Sequence, residues 1–95
     1  MLSKAGEEIK GFVDTVVRAL VDDPTQVNTS VLESGSMVVV ELTVAQSDMG
    51  VLIGREGRNA QSLRVLLSAL STKNGKKGIL QIIDRRQQQQ QQQPS

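Results

Sequence analysis

From Ser3 to Val21 the apolar residues fall at Ile9, Phe12, Val13, Val16, Val17 and Leu20. Steps of three and one in turn lie along a single stripe of a helix with 3.6 residues per turn, so this stretch is expected to be an amphipathic helix. Ser3 sits where a side-chain oxygen caps the first free amides, and Glu7 and Glu8 lie early, where the helix dipole favours acids. Asp22-Asp23-Pro24 ends the helix, because proline disfavours helical backbone at the residue before it. Its β-branched residues are poor helix formers, so packing must hold it.

The period then drops to two. Gln26 to Glu33 alternates, with Val27, Thr29 and Val31 on one face. After a short turn at Ser34-Gly35-Ser36, Met37 to Ala45 alternates again, with Val38, Val40, Leu42 and Val44 inward and Glu41 and Thr43 outward. Together they predict a β-hairpin with one core face and one wetter face. Ser47 or Asp48 is placed to cap a short helix over Met49 to Ile53, expected to break at Gly54-Arg55-Glu56-Gly57. A longer helix is expected from Arg58 to Thr72, with Ala60, Leu63, Leu66, Leu67 and Leu70 inward. Lys73 to Gly78 is a turn-rich basic loop, and Ile79 to Ile83 a third strand. The order α-β-β-α-α-β, with a helical crossover between the second and third strands, predicts an α/β (α+β) domain. Its three-stranded mixed sheet carries helices packed on one face, and the crossover makes the last two strands parallel. The domain is expected over residues 1–84. From Arg85 the chain turns to Gln87–Gln93, Pro94 and Ser95, a tail (85–95) with no apolar surface to bury and expected to be disordered.

Composition narrows the chemistry. The 95 residues include no Cys, His, Trp or Tyr, and Phe12 is the lone aromatic. Disulfides, thiolate zinc sites and cysteine nucleophiles are excluded, and the commonest catalytic base is missing. Base stacking on a sheet of surface aromatics is excluded too. Eleven basic against ten acidic residues give a net charge of +1, so any nucleic-acid contact must be local. Asp48, Glu56 and Asp84 show no pairing motif, so the chain reads as a non-enzyme with no cofactor, no metal and no small-molecule substrate. No apolar run is long enough to cross a membrane, and acidic residues interrupt any signal-peptide core, so the expected location is cytoplasmic.

The informative stretch is Val51-Leu-Ile-Gly-Arg-Glu-Gly-Arg-Asn-Ala-Gln-Ser-Leu-Arg64. Gly54 and Gly57 carry no side chain, so a nucleic-acid backbone can come close to the peptide. The next helix begins there, with free amides and the positive end of its dipole. Arg55 and Arg58 add charge, and Arg64 lies about two turns further on. A bare Gly-x-x-Gly is also an ordinary helix–helix turn; the apolar run before it and the helix after it single it out.

With Ile53-Gly54-Arg55-Glu56-Gly57-Arg58-Asn59 in this setting, residues 3–84 resemble a KH domain. The helix-first order resembles the bacterial type II arrangement, and the Arg-Asn-Ala-x-x-Leu-Arg continuation is similar to the KhpA family of small bacterial RNA-binding proteins. The motif also resembles the KH segment of ribonuclease Y, without a nuclease domain. The resemblance implies that Gly54, Arg55, Glu56 and Gly57 clamp about four nucleotides of single-stranded RNA. Ile53, Arg58, Asn59 and Arg64 would join the RNA contact. Met49, Leu52, Ala60 and Leu63 would support or line an adjacent apolar groove. It implies a role in post-transcriptional regulation or as an RNA chaperone. It further implies a dimer: a homodimer, or a heterodimer with a larger KH protein of the KhpB type (also called Jag or EloR) linked to cell-envelope growth and division. In that alternative the chain is chiefly a protein-interaction module. Val65 and Ala69, or Met37, Val39 and Ala45 on the outer sheet face, are candidate contact patches. Two features depart from the family pattern. Glu56 is acidic where the loop is usually basic or neutral, and the Ser34–Ser36 turn is very short; both imply weak binding of low specificity. Lys73, Lys76 and Lys77, and Arg85 with Arg86, read first as solvated charge and second as further RNA contacts.

Overall fold

The computed structural model describes residues 2–84, excluding the side chains of residues 55 and 56. The expected tail, including Gln87–Gln93, Arg85 and Arg86, lies outside the described residues. The chain forms α1 (Lys4–Leu20), β1 (Asn28–Ser34), β2 (Met37–Thr43), α2 (Met49–Lys73) and β3 (Lys77–Ile82), with one-turn 3-10 helices at Pro24–Gln26 and Gln46–Asp48.

The first helix follows its apolar stripe. Ile9, Val13 and Val17 are buried, Phe12 and Val16 pack partly against them, and Ser3 Oγ accepts the Gly6 amide at 3.1 Å. Leu20 is a correction: it lies in the last residue of the helix and is exposed. Asp23 caps a 3-10 turn over Pro24–Gln26, its carboxylate accepting the Thr25 amide at 3.2 Å, so Gln26 belongs to that turn and not to the strand. Consequently β1 begins at Asn28, two residues later than its alternation suggested.

The hairpin closes through a two-residue turn, with Ser34 opposite Met37 and Gly35 at φ +56°. β1 and β2 are antiparallel, whereas β2 and β3 are parallel, giving sheet order β1-β2-β3. Val38, Val40 and Leu42 are fully buried on the inner face of the central strand. Ile9, Val13 and Val17 of α1, and Leu52, Leu63 and Leu67 of α2, close that core. The architecture is therefore the mixed α+β fold expected, with a three-stranded mixed sheet, consistent with a type II KH-like domain.

Three details of the second half differ from the sequence reading. Helical structure runs without a gap from Met49 to Lys73, and the break narrows to Gly57, at φ +71°. Gly54 does not interrupt the helix. Leu66, expected in the core, is 46% exposed; the inward positions after the break are Ala60, Leu63, Leu67 and Ser71, with Leu70 partly buried. β3 starts at Lys77 because the Lys77 amide already donates to the Ser36 carbonyl at 2.7 Å.

Candidate nucleic-acid interface

The site begins with a buried acid. Asp48 precedes α2 and is 1% exposed, but its carboxylate does not cap that helix. Instead it accepts the backbone amides of Asp22 at 3.1 Å and Asp23 at 3.0 Å, just beyond α1. Those bonds satisfy donors at a chain reversal and tie the start of α2 to the end of α1. Met49 and Leu52 then point into the core, which leaves Gly50, Val51 and Gly54 on the outer surface of the first turns.

Gly57 changes the direction of the chain. Asn59 Nδ2 donates to the Val51 carbonyl at 2.6 Å. In a straight α-helix, residues eight apart are separated by about 12 Å along the axis, beyond the reach of an asparagine side chain. The bond therefore requires a sharp change of direction between them, and the left-handed backbone of Gly57 supplies it. Asn59 fastens the two arms of the turn.

Between the arms lies an open recess of about 580 Å³, lined by Ser47, Gly50, Val51, Gly54, Arg58 and Asn59. A Cβ added at Gly50 or Gly54 would meet nothing within 4 Å, so packing in this domain does not demand glycine at either position. Their effect is to keep the floor of the recess low and its peptide groups accessible.

The predicted residues separate into groups. Gly54, Arg58 and Asn59 are brought together in the recess. Ile53 is 48% exposed beside it but is not part of its lining. Arg64 is exposed on α2 and also lies outside the lining. Met49, Leu52, Ala60 and Leu63 are buried, so they back the turn from the core instead of lining the recess. Helical periodicity explains that placement, because residues facing the sheet cannot also face the solvent side of the turn. Ser47, Gly50 and Val51 were not singled out from the sequence as contact residues. The available signal was Gly50, four residues before Gly54 and so on the same helical face.

Charge pairing distinguishes the cations. Arg18 is bound to Asp14 at 2.7 Å, Lys73 lies 3.8 Å from Glu8, and Lys76 lies 3.9 Å from Glu33 and donates to the Gly35 carbonyl at 3.2 Å. Two of the three lysines of the basic loop thus face acids. Arg58 and Arg64 have no acidic partner among the described residues. The described residues hold no cluster of three or more metal-ligating acidic, histidine or cysteine side chains, and no helix long and apolar enough to cross a membrane.

Comparison with known proteins gives the same reading of the fold. The family model for the KhpA/KhpB KH domain matches residues 10–82. The chain is 37% identical to the RNA-binding protein KhpA of Borreliella burgdorferi over 83 residues, which covers 87% of this chain and all of that protein. It is 41% identical to RNA-binding protein KhpA of Caldanaerobacter subterraneus subsp. tengcongensis over 72 residues, covering 76% and 96%. Its identity to RNA-binding protein KhpA of Halalkalibacterium halodurans is 40% over 76 residues, covering 80% and 100%. With the helix–glycine turn–helix on a mixed three-stranded sheet and these matches across most of its length, the chain belongs to the KhpA/KhpB KH-domain family.

Proposed function

We propose that this protein binds single-stranded RNA at the Gly54–Gly57 turn and acts in post-transcriptional regulation or as an RNA chaperone. The observation that carries this reading is the recess itself: a glycine floor with room above it, edged by Arg58, a cation with no acidic partner among the described residues. A phosphodiester backbone needs both close approach and positive charge. The relatives named above support RNA as the partner. Phe12 packs against the core from α1, so bases are held by aliphatic and polar contacts instead of by stacking. Ile53 is the exposed aliphatic surface nearest the turn. Arg55 and Glu56 complete the loop, and Arg64 extends the positive side. Such a protein works where RNA is, in the cytoplasm, and residues 1–84 are its RNA-binding unit, without catalysis.

A second reading, a protein-interaction module, is favoured by Val65 and Leu66. They are 59% and 46% exposed on α2, one and two residues beyond Arg64. A homodimer, or a heterodimer with a larger KH protein, would cover them with Ala69; two clamps on one assembly would raise avidity. In that heterodimer lies the link to cell-envelope growth and division.

Fluorescence anisotropy of a labelled unstructured RNA tests the first reading. Wild type should bind with affinity falling as salt rises, at about 0.7 log units per log unit of salt for each phosphate contacted. The Arg55→Asp, Glu56→Asp double variant should lose at least about tenfold in affinity while remaining folded. Absence of binding by the wild type at low salt overturns RNA recognition by this chain alone. Light scattering on Val65→Lys tests the second reading, which requires a shift to the monomer.

A further inference from the structure

Polar groups on the wall of the recess are left without partners. Ser47, Arg58 and Asn59 all line it. The Ser47 hydroxyl, the Arg58 guanidinium and Asn59 Oδ1 have no hydrogen-bond or ionic partner among the described residues. Arg58 serves a phosphate in the reading given above. Asn59 Oδ1 does not fit that role: it only accepts hydrogen bonds, and so do the oxygens of a phosphodiester. A wall built for the phosphate alone would not place that oxygen there.

Ser47 and Asn59 are both held in place by the fold. Asn59 Nδ2 donates to the Val51 carbonyl at 2.6 Å. A carbonyl cannot donate in return, so the amide has one orientation, and its planarity turns Oδ1 away from Val51. Ser47 sits in the middle of the one-turn 3-10 helix Gln46–Asp48. The Asp48 amide donates to the Ala45 carbonyl at 2.8 Å, and the buried Asp48 carboxylate accepts the amides of Asp22 and Asp23 at 3.1 and 3.0 Å. The backbone of Ser47 is thus fixed before a ligand arrives, and ordering it adds little to the cost of binding. Its hydroxyl can donate and accept.

We propose that Ser47 and Asn59 read the 2′-hydroxyl of a ribose, so that the recess selects single-stranded RNA over single-stranded DNA of the same sequence. The inference rests on the strand-binding reading given above. With a phosphate on the Gly54 floor beside Arg58, the sugar is the next group along the strand. Its 2′-hydroxyl donates and accepts through one atom. That matches a wall offering a fixed acceptor and a rotatable hydroxyl: the 2′-hydroxyl donates to Asn59 Oδ1 and accepts from Ser47. A base edge matches one such point less well, since an exocyclic amino group only donates and a carbonyl only accepts. Deoxyribose puts a carbon-bound hydrogen there and leaves both wall groups unpaired. The recess is open, so water takes up part of that loss, and the discrimination is about five- to tenfold.

The test is anisotropy of the full chain at low salt with one unstructured sequence in three chemical forms. These are RNA, DNA carrying deoxyuridine in place of thymidine, and 2′-fluoro RNA. The last keeps the ribose pucker but has no 2′-hydroxyl hydrogen to give Asn59 Oδ1. Wild type should bind RNA at least about fivefold more tightly than DNA, and should bind the 2′-fluoro strand within about twofold of DNA. The salt dependence should be alike for all three, because the phosphate contacts are shared. Ser47 is exposed, so Ser47→Ala does not threaten the fold. That variant should lower the preference for RNA over DNA at least about threefold, and Ser47→Thr, which keeps the hydroxyl, should restore it. Equal binding of RNA and DNA by the wild type overturns the proposal and leaves strand binding at the recess standing. A 2′-fluoro strand bound as tightly as RNA overturns it by assigning the preference to sugar pucker, and a preference untouched by Ser47→Ala overturns it as well. Absence of binding to all three strands removes the strand-binding reading itself, and this proposal with it.

Discussion

At φ +71°, Gly57 occupies backbone that an L-residue enters at a cost of about 1–2 kcal/mol. A Cβ there meets nothing within 4 Å, so the cost of substitution is conformational, with no clash added. Gly57→Ala should lower unfolding stability in urea by about 1 kcal/mol, and Gly57→Asn by less, since asparagine tolerates the left-handed region better. Equal losses for the two would assign the effect to packing. The glycine pair itself is legible in the sequence, yet the division of labour between its members is not. Gly57 turns the chain, and Gly54 keeps a surface low. Asp48 shows the same limit. Its position before a helix suggests a cap, whereas its carboxylate serves amides twenty-five and twenty-six residues earlier in the chain. Only the folded chain brings those groups together.

Between elements, α2 and β3 approach each other closely at Gly78. A Cβ at Gly78 would collide with Ser71 Oγ and lie 3.1 Å from Leu67 Cγ. Glycine here lets the parallel strand sit against the helix. The Ser71 hydroxyl is fully buried and has no hydrogen-bond partner among the described residues. Burying an unpaired hydroxyl costs about 1–3 kcal/mol. Gly78→Ala should therefore destabilise by about 1–3 kcal/mol, as overpacking does. Ser71→Ala should be neutral or stabilising. In a double-mutant cycle by chemical denaturation, Ser71→Ala should recover part of the Gly78→Ala loss; strict additivity would mean that the two positions do not press on each other. Periodicity places the helix and strand on either side of this contact but mistakes Leu66 for a core residue. Leucines at 63, 66, 67 and 70 fill a stripe wider than the one the sheet covers, and Leu66 falls on its uncovered side.

For the molecule as a whole, the amino-terminal end is held to the hairpin tip by Glu33. Its carboxylate accepts the Ser3 amide at 2.7 Å and the Ser3 hydroxyl at 2.6 Å, with Lys76 beyond at 3.9 Å. These bonds from Ser3 hold the carboxyl below its ordinary range. Asp14, joining α1 to β1, is likewise lowered, first by its bond from Arg18 and also by the bond from Thr29, against the opposing effect of burial. A carboxyl with a depressed folded pKa contributes stability that is full above its unfolded value, about 4, and is lost as pH falls through the folded value. The melting temperature should hold steady from pH 7 to about 5 and fall below about 4. Glu33→Gln should flatten the part of that fall due to this clamp. An acid profile as steep as wild type in Glu33→Gln would remove Glu33 from the account.

The alternation of three-and-one and two-residue spacings determined the kinds of element, their order and most of the core. It did so because side-chain periodicity is a local property of helix and strand, and one buried face selects the residues that fit it. The glycine motif and the missing aromatics narrowed the candidate chemistry for the same reason: both depend on what individual side chains are. Tertiary structure decided which residues meet. It sent Met49, Leu52, Ala60 and Leu63 into the core, put Ser47, Gly50 and Val51 on the recess, and matched Lys73 and Lys76 with acids. It also aligned Leu32, Val39 and Ile79 across three strands. Those outcomes depend on contacts between residues far apart in the chain, and no spacing along a single segment encodes them.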